Sequence, residues 1–132
     1  MQPMHPVLSY AVYLFAGLAL LVLFFLIYTR VTPYKETELL KNGNRASAYF
    51  LSGSMLGFSA TIAASILTHS SFASFLGWAV GALFVQIIVY LLLDKLFTNL
   101  AKYIEENNGA IGIMSGSAAF CAGLINAACL YY

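Results

Sequence analysis

At 132 residues, with 61% hydrophobic and 8% charged side chains, the chain carries about a third of the charge of an ordinary soluble domain, for which roughly 25% is typical. Six Lys and Arg against five Asp and Glu leave a net charge of +1, which excludes a broad electrostatic footprint for nucleic acid or acidic substrates. Two cysteines, Cys121 and Cys129, sit in one apolar run about 12 Å apart by helical rise, out of disulfide reach of each other.

Four uncharged stretches follow in order: 7–28, 46–67, 72–93 and 109–132. Each holds 22 to 24 residues, enough to cross a hydrocarbon core of roughly 30 Å as a helix. An ionised residue at mid-span costs about 2.5 to 3.5 kcal/mol, so four consecutive clean windows predict an all-α integral membrane protein with four transmembrane helices. The first window follows a start without Lys or Arg and without a cleavage signature, so it reads as a retained helix. All six basic residues fall between spans one and two (Arg30, Lys35, Lys41, Arg45) or between spans three and four (Lys95, Lys102). The positive-inside rule therefore puts both charged loops in the cytoplasm and both termini in the periplasm, with the turn Thr68-His69-Ser70-Ser71 outside.

In the first loop Thr32 is placed to cap a short surface helix, Pro33 to occupy its first turn, and Asn42-Gly43-Asn44 to end it. Leu39 and Leu40 would dip into lipid while Lys35 and Lys41 meet headgroups; a solvated connector is the equal alternative. The second loop, 98–108, sets Leu100, Tyr103 and Ile104 against Lys102, Glu105 and Glu106. Asp94 and Arg30, at matching ends of spans three and one, either pair or reach the headgroups independently.

A shift of 63 positions lays Ser115-Gly116-Ser117 on Ser52-Gly53-Ser54 and Asn107 on Asn44. The expectation is one membrane domain, 1–132, made of two tandem helical hairpins, 1–70 and 71–132. Two spans per repeat make the halves parallel, related by an axis along the membrane normal. Spans two and four hold thirteen and twelve Gly, Ala, Ser or Thr, against five and six in spans one and three. Lipid-embedded helices associate by close backbone approach, so the small-residue spans should form the central pair. Its packing positions are Gly53, Gly57, Gly112, Gly116 and Gly123, with Gly77 and Gly81 offering a further face to the bundle or to another protomer.

Gln86 is the one long polar side chain deep in span three. It reads as an interhelical hydrogen-bonding group at the depth of Gly53 and Ser117. Asn126, Thr61 and Ser65 lie at similar heights nearer the outer end, as one-bond packing residues or as a polar pocket. His5 and His69 are too few for a metal site, and no nucleophile with a base, carboxylate pair or ligand cluster occurs. No cofactor, no metal and no enzymatic activity are expected.

Over nearly its whole length the chain resembles the YjfL family of small bacterial inner-membrane proteins. The resemblance rests on Val31-Thr32-Pro33-Tyr34, Lys41-Asn42-Gly43-Asn44-Arg45-Ala46-Ser47-Ala48, Ser52-Gly53-Ser54-Met55-Leu56-Gly57 and Gly123-Leu124-Ile125-Asn126-Ala127-Ala128-Cys129. The family's Gly-Asn-x-Ala-x-Ala box appears in full at Gly43 to Ala48 and in degraded form at Asn107 to Gly112. The resemblance implies a four-helix inner-membrane protein of two hairpins and, by gene neighbourhood alone, envelope-stress or polyamine-related work.

Two functions fit these residues. One is a membrane scaffold that binds a cytoplasmic protein through residues 32–45, with Lys35, Lys41 and Arg45 as contacts. The other is a passive channel or facilitator for a small ion or solute, formed in a homo-oligomer and lined by Gln86, Asn126, Thr61 and Ser65.

Overall fold

The computed structural model describes residues 5–69 and 71–131, so Ser70 of the turn expected outside and Tyr132 of the expected fourth span lie outside the described residues. The order is α1 (Pro6–Val31), α2 (Glu36–Lys41), α3 (Arg45–Thr68), α4 (Phe72–Leu96), α5 (Leu100–Glu105) and α6 (Gly109–Cys129). The four long helices are each long and apolar enough to cross a membrane, and the chain is a multi-pass membrane protein. Spans α1 and α4 run several residues past the uncharged windows, because Arg30 and Lys95 sit in their last turns, where a cation complements the helix dipole.

Capping side chains set all four long-helix starts, His5 accepting from the Val7 N–H at 3.2 Å at the first. Asn44 accepts from the Ser47 N–H at 2.7 Å, Asn108 from Ile111 at 3.2 Å and Ser71 from Ser74 at 3.1 Å. Both short helices end in the same Schellman turn. In the first, Gly43 N–H donates to Leu40 and Asn44 N–H to Leu39; in the second, Asn107 donates to Ile104 and Asn108 to Tyr103. The left-handed residue is Gly43 (φ 79°) in one and Asn107 (φ 59°) in the other, the two types that tolerate it most readily. Turn and cap thus correspond at a shift of 64, with Asn108 over Asn44, one residue beyond the register suggested by the Ser-Gly-Ser segments.

Helices α3 and α6 make by far the most extensive contact. Contacts climb in the same direction along both, from Ala46 with Gly112, through Gly53 with Gly116, to Gly57 and Thr61 with Gly123, so the pair is parallel. A Cβ at Gly112 would stand 2.6 Å from the Ala46 backbone, and one at Gly53, Gly116 or Gly123 would overlap the partner's main chain. Only glycine admits backbones this close, and in lipid that contact replaces the hydrophobic effect as the source of association.

Helix α3 also packs against α1 and α4, and α4 against α6. Helix α1 is the most peripheral: 11% of its most apolar stretch is buried, against 44% for α3. It attaches through aromatic rings, Phe24 on Phe58 (4.9 Å between centroids), Tyr28 on Phe50 (5.8 Å) and Tyr13 on Phe75 (5.3 Å). Cys121 and Cys129 point away from the bundle.

Replacing Gly123 by Leu should cost about 1–3 kcal/mol or more by forcing α3 and α6 apart. Gly81→Leu, where an added Cβ meets nothing within 4 Å, should leave stability nearly unchanged. Reversible unfolding in mixed micelles separates the two.

Candidate functional site

The first connection departs from its expected geometry. Helix α1 continues to Val31, and the Thr32 N–H closes it on the Tyr28 carbonyl, so Thr32 ends one helix instead of starting the next. Pro33 disfavours the helical conformation in the residue before it, and Thr32 is extended (ψ 136°). Side chains then alternate: Thr32, Tyr34 and Glu36 are buried while Pro33, Lys35 and Thr37 are exposed. Helix α2 starts only at Glu36, with no side-chain cap, and turns that carboxylate inward; Leu39 is half-buried and Leu40 exposed.

Glu36 is 1% exposed and is the one Asp, Glu, His, Lys or Arg in the buried set among the described residues. Its Oε2 accepts from the Ser47 hydroxyl at 2.7 Å, and its Oε1 has no hydrogen-bond partner. The Tyr34 hydroxyl lies 3.5 Å from that of Tyr28, which reaches down from α1. Among the described residues the single ion pair is Lys35 Nζ to Glu38 Oε1 at 3.8 Å, out on the surface. Burial pushes the Glu36 carboxyl up to about 7; the bond from Ser47, with the Tyr34 and Thr32 hydroxyls nearby, opposes the shift without cancelling it. Burial, with the nearby Tyr28 and Glu36, raises the Tyr34 phenol well above its ordinary value. A cavity of about 360 Å³, walled by Thr29, Thr32, Pro33, Tyr34, Lys35, Glu36, Thr37 and Glu38, opens beside the carboxyl.

The two loops at this end interlock. Asn44 Nδ2 donates to the Ile104 carbonyl at 2.8 Å, and Asn107 Oδ1 accepts from Arg45 N–H at 2.8 Å and Ala46 N–H at 3.1 Å. Asp94 accepts from the Leu100 N–H at 3.0 Å, so it anchors the start of α5 instead of pairing with Arg30. In α5 the inward face is Leu100, Ala101 and Ile104, with Tyr103 exposed. Lys35, Lys41 and Arg45 all lie on the exposed surface of this platform.

Deeper in the bundle, Gln86 Nε2 donates to the carbonyls of Ser54 (3.2 Å) and Ala119 (3.4 Å), tying α4 to both α3 and α6 beside Gly57. Thr61 donates to the Gly57 and Gly123 carbonyls, at 3.2 and 3.0 Å, and Ser65 to Phe75 at 3.1 Å. The structure therefore bonds Thr61 to α6 and Ser65 to α4; Asn126 is half-buried on α6. His69 stacks on Trp78 and His5 caps α1. No group of three or more His, Cys, Asp or Glu that would hold a metal gathers among the described residues.

Glu36, Asn44 and Asn107 are the residues that sequence reasoning passed over as functional candidates. The period-two pattern Thr32-Pro33-Tyr34-Lys35-Glu36 was the available signal for the first. A carboxyl raised in the folded state favours folding most below its ordinary value and loses that contribution as pH climbs through the raised one. Stability should thus fall between about pH 4.5 and 7 in the wild type, by on the order of 3 kcal/mol, and the Glu36→Gln variant should lack that component. Thermal melts across that pH range check it.

The model of the Domain of Unknown Function (DUF350) family matches residues 2–130. The UPF0719 inner membrane protein YjfL of Escherichia coli K12 is 31% identical over 130 residues, 98% of each chain. The UPF0719 transmembrane protein YshE of Bacillus subtilis 168 is 32% identical over 107 residues, 80% of each. No solved structure matches. With four bilayer-length helices and a family match over almost its entire length, the chain belongs to the DUF350 family and is similar to YjfL and YshE.

Proposed function

We propose that the chain is a non-enzymatic membrane scaffold that presents a fixed polar platform to a cytoplasmic protein. The observation that carries this reading is the locking of both loops. Asn44 on Ile104, Asn107 on the start of α3 and Asp94 on the start of α5 hold the start of α3 and α5 in one arrangement. A loop that merely joined two spans would not need these side-chain ties, of which the one from Asn44 to Ile104 is buried; a surface read by a partner gains affinity from being pre-organised. Lys35, Lys41 and Arg45 face outward for recognition, and the distribution of Lys and Arg assigns this end to the cytoplasm and both termini to the periplasm.

The matched order of long helix, short helix and long helix in each half, with the repeated Schellman turn and Asn cap, favours two tandem parallel hairpins. A homo-oligomer would use faces left open within one chain. These are Gly77 and Gly81 on α4, with no neighbour within 4 Å of an added Cβ, and the shallow groove of Tyr49, Ser52, Leu56, Ile113, Ser117 and Phe120.

Passive conduction is the second reading, favoured by the buried hydroxyl and amide groups of Ser54, Gln86, Thr61 and Ser65 along the bundle interior, with Asn126 near their outer end. Two measurements separate the readings. Charge reversal at Lys35, Lys41 and Arg45 should abolish capture of a cytoplasmic partner by the wild-type protein while reconstituted liposomes hold their ion gradients. Leaky liposomes whose rate changes with Gln86→Leu or Asn126→Leu would replace the scaffold by a channel. A cysteine at Lys41 should label only after the inner face is exposed, and one at His69 from outside; the reverse pattern would invert the topology.

A further inference from the structure

Burying a carboxylate without a positive partner is among the least tolerated arrangements in a protein, because several kcal/mol of lost hydration must be replaced by something. The groups packed around Glu36 supply no cation. Helix α1 contributes Tyr28, the linker Thr32 and Tyr34, and α3 contributes Ser47. Helix α4 contributes Tyr90, which packs on Tyr28 and has Asp94 near it, and α5 brings Glu105 to a second cavity on the other side of Tyr34 and Lys35, which does not include Glu36. On α2 itself Lys35 turns outward to Glu38, and Arg45 on α3 is exposed. Every group against the carboxyl is neutral or acidic; Lys35, which shares the wall of the cavity, pairs with Glu38.

We propose that the Glu36 pocket is a binding site for one small monovalent cation, a proton or an alkali-metal ion, whose departure weakens the hold of α2 on the end of the bundle. Three observations support it independently of any titration: the carboxylate is almost fully buried, its Oε1 is unpartnered, and Glu36 forms part of the wall of a cavity that opens to the surface. The donors within reach are all oxygen: one carboxylate and the hydroxyls of Tyr34, Thr32 and Ser47. That set suits a hard ion of single charge, since a divalent ion would keep an uncompensated charge against one carboxylate in a low-dielectric pocket. As a proton site the balance is simple: Oε1 takes the proton, Oε2 keeps the Ser47 bond, and the charge disappears. Both occupants neutralise the same carboxylate, and both leave through the same cavity. When the site empties, the bare charge is stabilised best in water, which means swinging Glu36 and α2 outward. The inference holds whether or not the platform docks a partner.

Infrared difference spectroscopy on the full chain in lipid nanodiscs, with protons, sodium chloride, potassium chloride and choline chloride as the probes, reads the carboxyl directly. A protonated-carboxyl band absent from Glu36→Gln should bleach at least about one pH unit above the ordinary glutamate range. Ser47→Ala, which removes the one bonded hydroxyl, should move that midpoint further up. A midpoint lowered by sodium or potassium but not by choline identifies an alkali ion as competitor, and a midpoint indifferent to all three salts identifies the proton alone. In a background with Cys121 and Cys129 replaced by Ala, thiol labelling of Leu39→Cys relative to exposed Leu40→Cys should rise by up to about tenfold per pH unit above the midpoint, and stay flat with Glu36→Gln added. Bleaching in the ordinary carboxylate range, or labelling at Leu39→Cys that ignores pH and salt alike, would overturn the site.

Discussion

Lipid tails offer a helix neither hydrogen bonds nor any gain from hiding apolar surface, and the architecture follows from that constraint. Two helices can then be held firmly only where their main chains touch, and α3 and α6 meet this condition through Gly53, Gly57, Gly112, Gly116 and Gly123. The bulkier α1 and α4 are arranged around that contact. They supply rings and one amide, Gln86, which reaches the pair at the notch left by Gly57. The bundle is graded accordingly, from a backbone-to-backbone centre to an outer helix attached by Phe24, Tyr28 and Tyr13.

At the polar end the physics changes, because water competes for every hydrogen bond, and a different solution appears. Asparagine recurs at the joints: Asn44 and Asn108 as caps, Asn107 as a left-handed residue that also receives two backbone N–H groups of α3. The side chain of asparagine both donates and accepts, so one residue serves as cap and crosslink. Asn44 does both, accepting from Ser47 and donating to Ile104. The degraded second copy of the Gly-Asn-x-Ala-x-Ala box has a structural consequence: where the first copy has Gly43, the second has Asn107, whose side chain ties the two halves together.

The spans, their number and the central pairing of the small-residue helices were legible in the sequence, because hydrocarbon thickness and glycine spacing are read residue by residue without tertiary information. The platform was not. Whether Glu36 faces water or protein depends on the chain path set by Pro33 and on where α1 stops, and both depend on contacts with α3 that a linear reading does not contain. Asp94 is instructive in the same way. Its charge suggested Arg30 as a partner, yet the free N–H of Leu100 lies six residues away and loop geometry brings it within 3.0 Å. The hydroxyls of Thr61 and Ser65 looked alike on the stripe of α3, but they engage different helices through carbonyls that composition does not reveal.

Because the halves meet chiefly along α3 and α6, the peptide connecting α3 to α4 carries little of the load between them. A proteolytic nick in that turn would leave two hairpins still gripped along the glycine seam, each with its own short helix in place. Whether the two pieces then stay together is decided along the seam, where Gly53 meets Gly116, and hardly at all by the cut strand.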